Sequence, residues 1–418
     1  MIFSSVTERT NRADMTDAPR ISRQFSQRSV MEAIVQGGPI SRASIAKLTG
    51  LSKQTISEIV RDLEDGGWVR ETGRTSGHVG RTAVTYELVV DAAFIVAVDL
   101  GGTKVRVAVT DLAGQIVIED TAPTDLRGGR PLVTQIAGMA LSAAEGAKVA
   151  RDKLRLAVVG VPGAPDNRTG RVLLAPNIRD FDTMDVLEAF RQALGFDVVL
   201  ENDVNLAALG ESWQGQGQGI DNLAYVALGT GIGSGLILGG NLVRGAANAA
   251  GEMGFLPIGA NPFDPESLRV GAYERAVATH GIIERYETTT GENISVPVIF
   301  ERAAAGDAAA VAAIDETSRQ VACGIAAICA IANPQLVILG GSIGLRPEIL
   351  ERARHFLPQC FPYPVDVVSG ELGARAALVG ATAVGLSQLH NTLFGVATPN
   401  AGLSLPPTGA ESSQEAAE

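Results

Sequence analysis

At 418 residues the chain is too long for one compact core, and two or three domains are expected. Apolar residues make up 46% of it and the net charge is −12, which excludes an intrinsically disordered chain. Residues 20–82 carry ten Lys and Arg against six Asp and Glu, a balance of +4 that leaves −16 on the rest. A basic end on an acidic body suits contact with nucleic acid at that end alone.

Residues 1–20 and 397–418 show no apolar period and are read as disordered tails. With no apolar leader after Met1 and no run long enough to span a bilayer, the chain is read as cytoplasmic, without membrane insertion. Residues 21–90 carry three helical patterns and two strands, a winged helix-turn-helix. Val30, Ile34 and Val35 stripe the first helix, which stops at Gly37 and Gly38 before Pro39. Ser41 caps a second helix with Ile45, Ala46 and Leu48 facing inward, and Gly50 and Leu51 make the turn. Ser52 caps a third helix with Ile56, Ile59, Val60 and Leu63 facing inward, and residues 68–70 and 82–88 are the wing strands. Ser52, Lys53, Gln54, Thr55, Ser57 and Glu58 face outward, at the part of this motif that meets base edges in the major groove. Gln54 can pair with adenine and Lys53 can reach guanine or a phosphate, while Arg74, His78 and Arg81 on the wing suit phosphates or the minor groove. A tri-helical protein-interaction module would share these helices without needing the basic balance.

From Phe94 strands alternate with helices. Residues 95–100, 105–111 and 115–119 form a meander, followed by a helix at 131–150, a strand at 156–160, a helix at 184–194, a strand at 198–201 and a helix at 204–215. A second meander begins at Leu223 on the same plan: residues 98–109 and 227–238 each set a Gly/Thr turn between apolar strands. The fold class is therefore α/β with an internal duplication, which resembles the two-lobed actin/hexokinase superfamily. Glycines let backbone N–H groups approach phosphate oxygens, and threonine adds a hydroxyl. Asp99, Gly101, Gly102, Thr103 and Lys104 in one turn, and Gly229, Thr230, Gly231 and Gly233 in the other, are candidate nucleotide phosphate contacts. Either turn alone could be no more than a tight hairpin. Asp203 stands where a strand opens into a helix, and could take a proton from a sugar hydroxyl or cap the helix. Residues 321–331 read as a buried helix in which Cys323 and Cys329 pack; with Cys360 they have no metal-ligand or disulfide spacing.

Residues 94–389 resemble the ROK family of sugar kinases and sugar-responsive repressors. The stretches that carry this are Gly160-Val-Pro-Gly163, Ala175-Pro-Asn177, residues 201–211, residues 229–235, Arg244-Gly245 with Ala250-Gly-Glu-Met-Gly254, and Leu339-Gly-Gly-Ser342. Winged helix included, the chain resembles the family's repressor branch. The resemblance implies a sugar-binding, kinase-like domain over 91–396, with one lobe at about 91–200 plus 375–396 and the other at about 201–374. It implies that Asn177, Asn202, Asp203, Glu252 and Glu274 bind sugar hydroxyls, with Asp203 the base of a kinase, and that adenosine would lie near Gly340 and Gly341. Where the family has a histidine that binds zinc and sugar, this chain has Phe255, and the three zinc cysteines align with Pro265, Ser267 and Ala272. None of these offers the thiolate, imidazole or carboxylate that zinc requires, so no zinc or other resident metal is expected. The resemblance implies a homodimeric, sugar-responsive regulator, a repressor of carbohydrate uptake or catabolism genes bound to a palindromic operator, with no cofactor required. The alternative is an ATP-dependent sugar kinase, with Mg²⁺ near Asp99 and with Thr103 and Thr230 on the phosphates.

Overall fold

The computed structural model describes residues 18–75, 83–166, 168–175, 178–394 and 405–406. Two compact units emerge: the residues up to Ala92 together with those from Ser387 onward, and Ala93–Leu386. Among the described residues no helix is long and apolar enough to cross a membrane.

The first unit begins with α1 (Ala18–Gly37), which starts inside the stretch expected to be a tail. There follow β1 (Ile40–Ser41), α2 (Arg42–Thr49), α3 (Lys53–Asp65), β2 (Val69–Thr75) and β3 (Ala83–Leu88), the strands antiparallel in the order β1-β3-β2. Local signals build the helix pair. Ser41 Oγ accepts the Ser44 N–H at 3.1 Å, Gly50 ends α2 at a φ of 70°, and Ser52 Oγ accepts the Thr55 N–H at 3.1 Å. Ile45, Ile56, Ile59, Val60 and Leu63 are buried as their spacing predicts. Leu48, expected inside, is 68% exposed, because the short α2 offers the core only Ile45. β2 runs well past Arg70, since its ladder with β3 continues beyond a bulge between Glu71 and Gly73.

In the second unit β4 (Phe94–Leu100), β5 (Lys104–Thr110) and β6 (Ile116–Pro123) make the first meander. α4 (Gly129–Gly146), β7 (Leu154–Val161), the hairpin of β8 (Ala164–Asp166) and β9 (Arg171–Leu173), α5 (Val186–Leu194), β10 (Asp197–Asn202) and α6 (Asp203–Gln214) follow. The second lobe opens with β11 (Leu223–Leu228), β12 (Ile232–Leu238) and β13 (Asn241–Leu242). It continues through α7 (Pro265–Val270), α8 (Ala272–Val277), α9 (Thr279–Thr290), α10 (Val296–Ala304), α11 (Ala308–Ala332), β14 (Leu336–Gly340), α12 (Gly341–Gly344), α13 (Pro347–Cys360) and β15 (Asp366–Ser369). α14 (Ala376–Phe394) follows, its residues from Ser387 onward belonging to the first unit. The sheets run β6-β5-β4-β7-β10 and β13-β12-β11-β14-β15, each antiparallel through its meander and parallel beyond it. What is duplicated is thus a whole five-stranded sheet, not only a hairpin.

Alternation along β4 sends Val96 and Val98 to the core under α4 and α5, and Ala97 to the core that α6 and α14 fill between the sheets. α6 and α14 cross closely. A Cβ on Gly380 would run into the Leu206 carbonyl oxygen, and one on Gly210 into that of Ala376. The helix read at 321–331 is the end of the longer α11; Cys329 is buried, Cys323 half-buried and Cys360 exposed. Ile331, in the last turn of α11, is 84% exposed where buried packing was expected.

Candidate functional site

On the first unit Lys53, Gln54 and Glu58 are exposed along the start of α3, with Thr55 and Ser57 half-buried. Ser52 and Thr55 are committed to the helix start, their hydroxyls 2.8 Å apart, so the outward groups of the first turn that the cap does not use are Lys53 and Gln54. Gln54 Nε2 donates to Glu58 Oε1 at 3.2 Å, an exposed bond that a base edge can replace. Arg74 lies on β2 in register with Val84; its side chain, and all of His78 and Arg81, lie outside the described residues.

The second unit holds a cavity of about 460 Å³ between its two lobes. Gly102 and Thr103 from the β4–β5 turn face Gly229, Thr230, Gly231 and Gly233 from the β11–β12 turn across it, with Gly341 alongside. The turns are braced from behind: Thr124 Oγ1 donates to the Gly101 carbonyl at 2.7 Å, and Thr279 Oγ1 to the Gly229 carbonyl at 3.0 Å. Gly101, Lys104 and Gly340 do not line the cavity; Lys104 is exposed, and Gly340 is buried against the Tyr225 hydroxyl. Asp99 is also off the wall. It pairs with Arg106 at 3.0 Å, its partner in the β4–β5 ladder, and desolvation still holds its pKa above the usual carboxylate range.

The junction of β10 and α6 supplies the polar floor. Asn202, not Asp203, is the helix cap: its Oδ1 accepts the Asn205 N–H at 2.9 Å and its Nδ2 donates to the Gly163 carbonyl at 2.9 Å. Asp203 Oδ1 accepts the Val204 N–H at 2.9 Å, and the residue lines the cavity. Desolvation, then the charges of Asp99 and Glu252, push its pKa up from 3.8 to about 8. Glu252 is raised by desolvation and by Glu274; Glu274 is raised by desolvation while accepting the Ile232 N–H at 3.1 Å. Three acids on one cavity, each with its pKa raised toward the neutral form, suit a ligand rich in neutral hydroxyls, which can both donate to and accept from them. Asn177 lies outside the described residues.

Several residues of this cleft escape sequence reading. Glu201 Oε2 meets Arg244 Nε at 2.8 Å, and Asn248 Nδ2 donates to the Pro165 carbonyl at 2.7 Å, so the loop after β13 ties the second lobe to the first. Leu174 and Phe255 line the cavity from opposite lobes. Phe255 had a legible signal, since it stands where the family has its sugar-binding histidine, and so did Arg106, since a hairpin turning at residues 101–103 sets it opposite Asp99. The loop that aligns with the family's zinc site is closed by protein groups: Arg275 Nη1 donates to Ser267 Oγ at 2.8 Å and lies 3.2 Å from Asp264 Oδ2. Among the described residues no cluster of His, Cys, Asp and Glu could hold a metal.

A winged helix followed by two like-folded lobes around opposed glycine turns defines an actin/hexokinase-like sensor or kinase domain behind a DNA-binding module. The ROK family model matches residues 95–387 and the MarR family model residues 21–81. The chain belongs to the ROK family. The xylose repressor of Caldicellulosiruptor bescii is 27% identical over 388 residues, covering 88% of this chain and 96% of that protein. The glucokinase of Halalkalibacterium halodurans is 30% identical over 308 residues, covering 68% of this chain and 92% of its own. Among solved structures, a ROK family transcriptional regulator described as a homologue of the E. coli MLC protein superposes with a TM-score of 0.73 at 22% identity, covering 89% of this chain and 98% of that one, and shows the fold.

Proposed function

We propose that this chain is a sugar-responsive, DNA-binding transcription regulator, a repressor of carbohydrate uptake or catabolism genes, acting in the cytoplasm. The observation that carries this is the pairing of an α3 that presents Lys53 and Gln54 with a cleft floored by Asp203, Glu252 and Glu274. Support comes from the xylose repressor relative, which aligns across 88% of the chain, whereas the glucokinase covers 68%. The active species is a homodimer on a palindromic operator, with half-sites about one helical turn, or a multiple of it, apart. Asn177 joins Asn202 and the three acids on the sugar. Zinc has no role, since Arg275 closes the loop that would hold it. Sugar that prefers the closed cleft shifts the population between DNA-binding and released states.

A second reading, an ATP-dependent sugar kinase, draws on the opposed turns and on Asp203, whose pKa of about 8 suits a general base near neutrality. The turns fit a nucleotide's phosphates, but Asp99 already carries the Arg106 guanidinium where Mg²⁺ would need it. The deciding experiment is selection of genomic fragments by the purified protein at physiological salt, with and without sugars. Enrichment of a palindrome beside sugar-utilisation genes, lost on adding one sugar, is expected. Absence of enrichment together with sugar-dependent ATP turnover that Asp203→Ala abolishes would replace the repressor by the kinase.

A further inference from the structure

We propose that the ligand of the cleft is a neutral glycoside with an apolar aglycone, its sugar ring on Asp203, Glu252 and Glu274 and its aglycone between Leu174 and Phe255. This rests on the reading of the cleft as a sugar site and names the class of sugar.

Leu174 is 46% exposed and Phe255 38% exposed, and both line the same cavity as the three acids. The C–H face of a sugar ring can cover one such side chain; an apolar group at the anomeric carbon removes the surface of the other from water as well. The two come from opposite lobes, Leu174 just past β9 and Phe255 at the end of the turn Met253–Phe255. Leu174 holds a φ of 57°, a left-handed conformation that side chains other than Asn, Asp and Gly rarely adopt. Strain of this kind collects where a binding surface dictates the backbone.

Beside the three acids, no cation among the described lining residues is left uncommitted for an anionic group on the sugar. Arg269, the one cation there, is held by Glu266 through bonds of 2.6 and 3.0 Å, so it is not presented to a charged substituent. The cavity of about 460 Å³ is in the range that takes ligands of drug size.

The test is titration calorimetry of the full-length protein with xylose, glucose, galactose, mannose and N-acetylglucosamine, each as the free sugar and as its phenyl α- and β-glycosides. At least one phenyl glycoside should bind about tenfold or more tightly than its parent, with a more negative heat-capacity change. Phe255→Ser should close that gap by weakening the glycoside more than the parent. Leu174→Gly, which tolerates the same φ, should do likewise, and Phe263→Ser, 88% exposed and off the cavity wall, should leave the gap intact. Free sugars binding as tightly as their phenyl glycosides would overturn the aglycone and leave the sugar site standing. If nothing in the panel bound, the proposal and the sugar-site reading would fall together.

Discussion

Asp203 makes stability depend on pH in a direction opposite to most carboxylates. Its pKa rises from an ordinary 3.8 to about 8, so the folded protein binds this proton more tightly than the unfolded chain does. The stability linked to it is full below about pH 4, falls as pH rises toward 8, and is gone above that. A shift of this size corresponds to about 6 kcal/mol at most; water entering the open cleft screens the charge, and an effect of about 2 kcal/mol is expected. Asp203→Asn keeps an oxygen for the Val204 N–H and removes the charge. Its melting temperature should exceed the parent's by about 4 °C at pH 8.5 and match it at pH 4. Equal gains at both values would show that the charge is not what destabilises this site.

The loop after β13 sets how the lobes meet, through Arg244 on Glu201 and Asn248 on Pro165. Asn248 sits at a φ of 55°, which glycine adopts freely, so Asn248→Gly removes the bond to Pro165 without straining the backbone. One neutral hydrogen bond contributes about 1 kcal/mol, so the sugar that binds best should bind about fivefold more weakly. Affinity equal to the parent's would mean that the tie is no stronger in the liganded than in the ligand-free protein. Such ties were not legible in the sequence, since they join residues 43 and 83 positions apart. What was legible is local. Ser41, Ser52 and Gly50 announce α2 and α3 because each acts on N–H groups or on a φ within one turn. The Gly/Thr turns announce both meanders, and hence both sheets. The cap of α6 was open between roles because Asn202 and Asp203 are both good capping residues; only the bond from the Asn205 N–H settles it. Leu48 and Ile331 followed the helical period yet face solvent, since period says which face a residue occupies and not whether anything covers it. The strain at Leu174 has no sequence signal at all.

Across the whole molecule the division of charge, +4 on residues 20–82 and −16 elsewhere, should sharpen discrimination more than affinity. The acidic body penalises every DNA complex alike, so loose nonspecific binding, which rests on phosphate contacts, is eroded, while base contacts decide which sites survive. The roles of Lys53 and Gln54 then separate by salt. Lys53 is an exposed cation on the first turn of α3; if it meets a phosphate in each half-site of the proposed dimer, Lys53→Ala should reduce the slope of log affinity against log salt by about 2, with little change in sequence preference. Gln54→Ala removes no charge and should leave that slope alone, while costing about 1–3 kcal/mol of discrimination at one base pair in each half-site. Binding measured on operator and scrambled duplexes between 50 and 200 mM salt tests both. A slope unchanged in Lys53→Ala, with operator preference lost, would assign Lys53 to guanine rather than to the backbone.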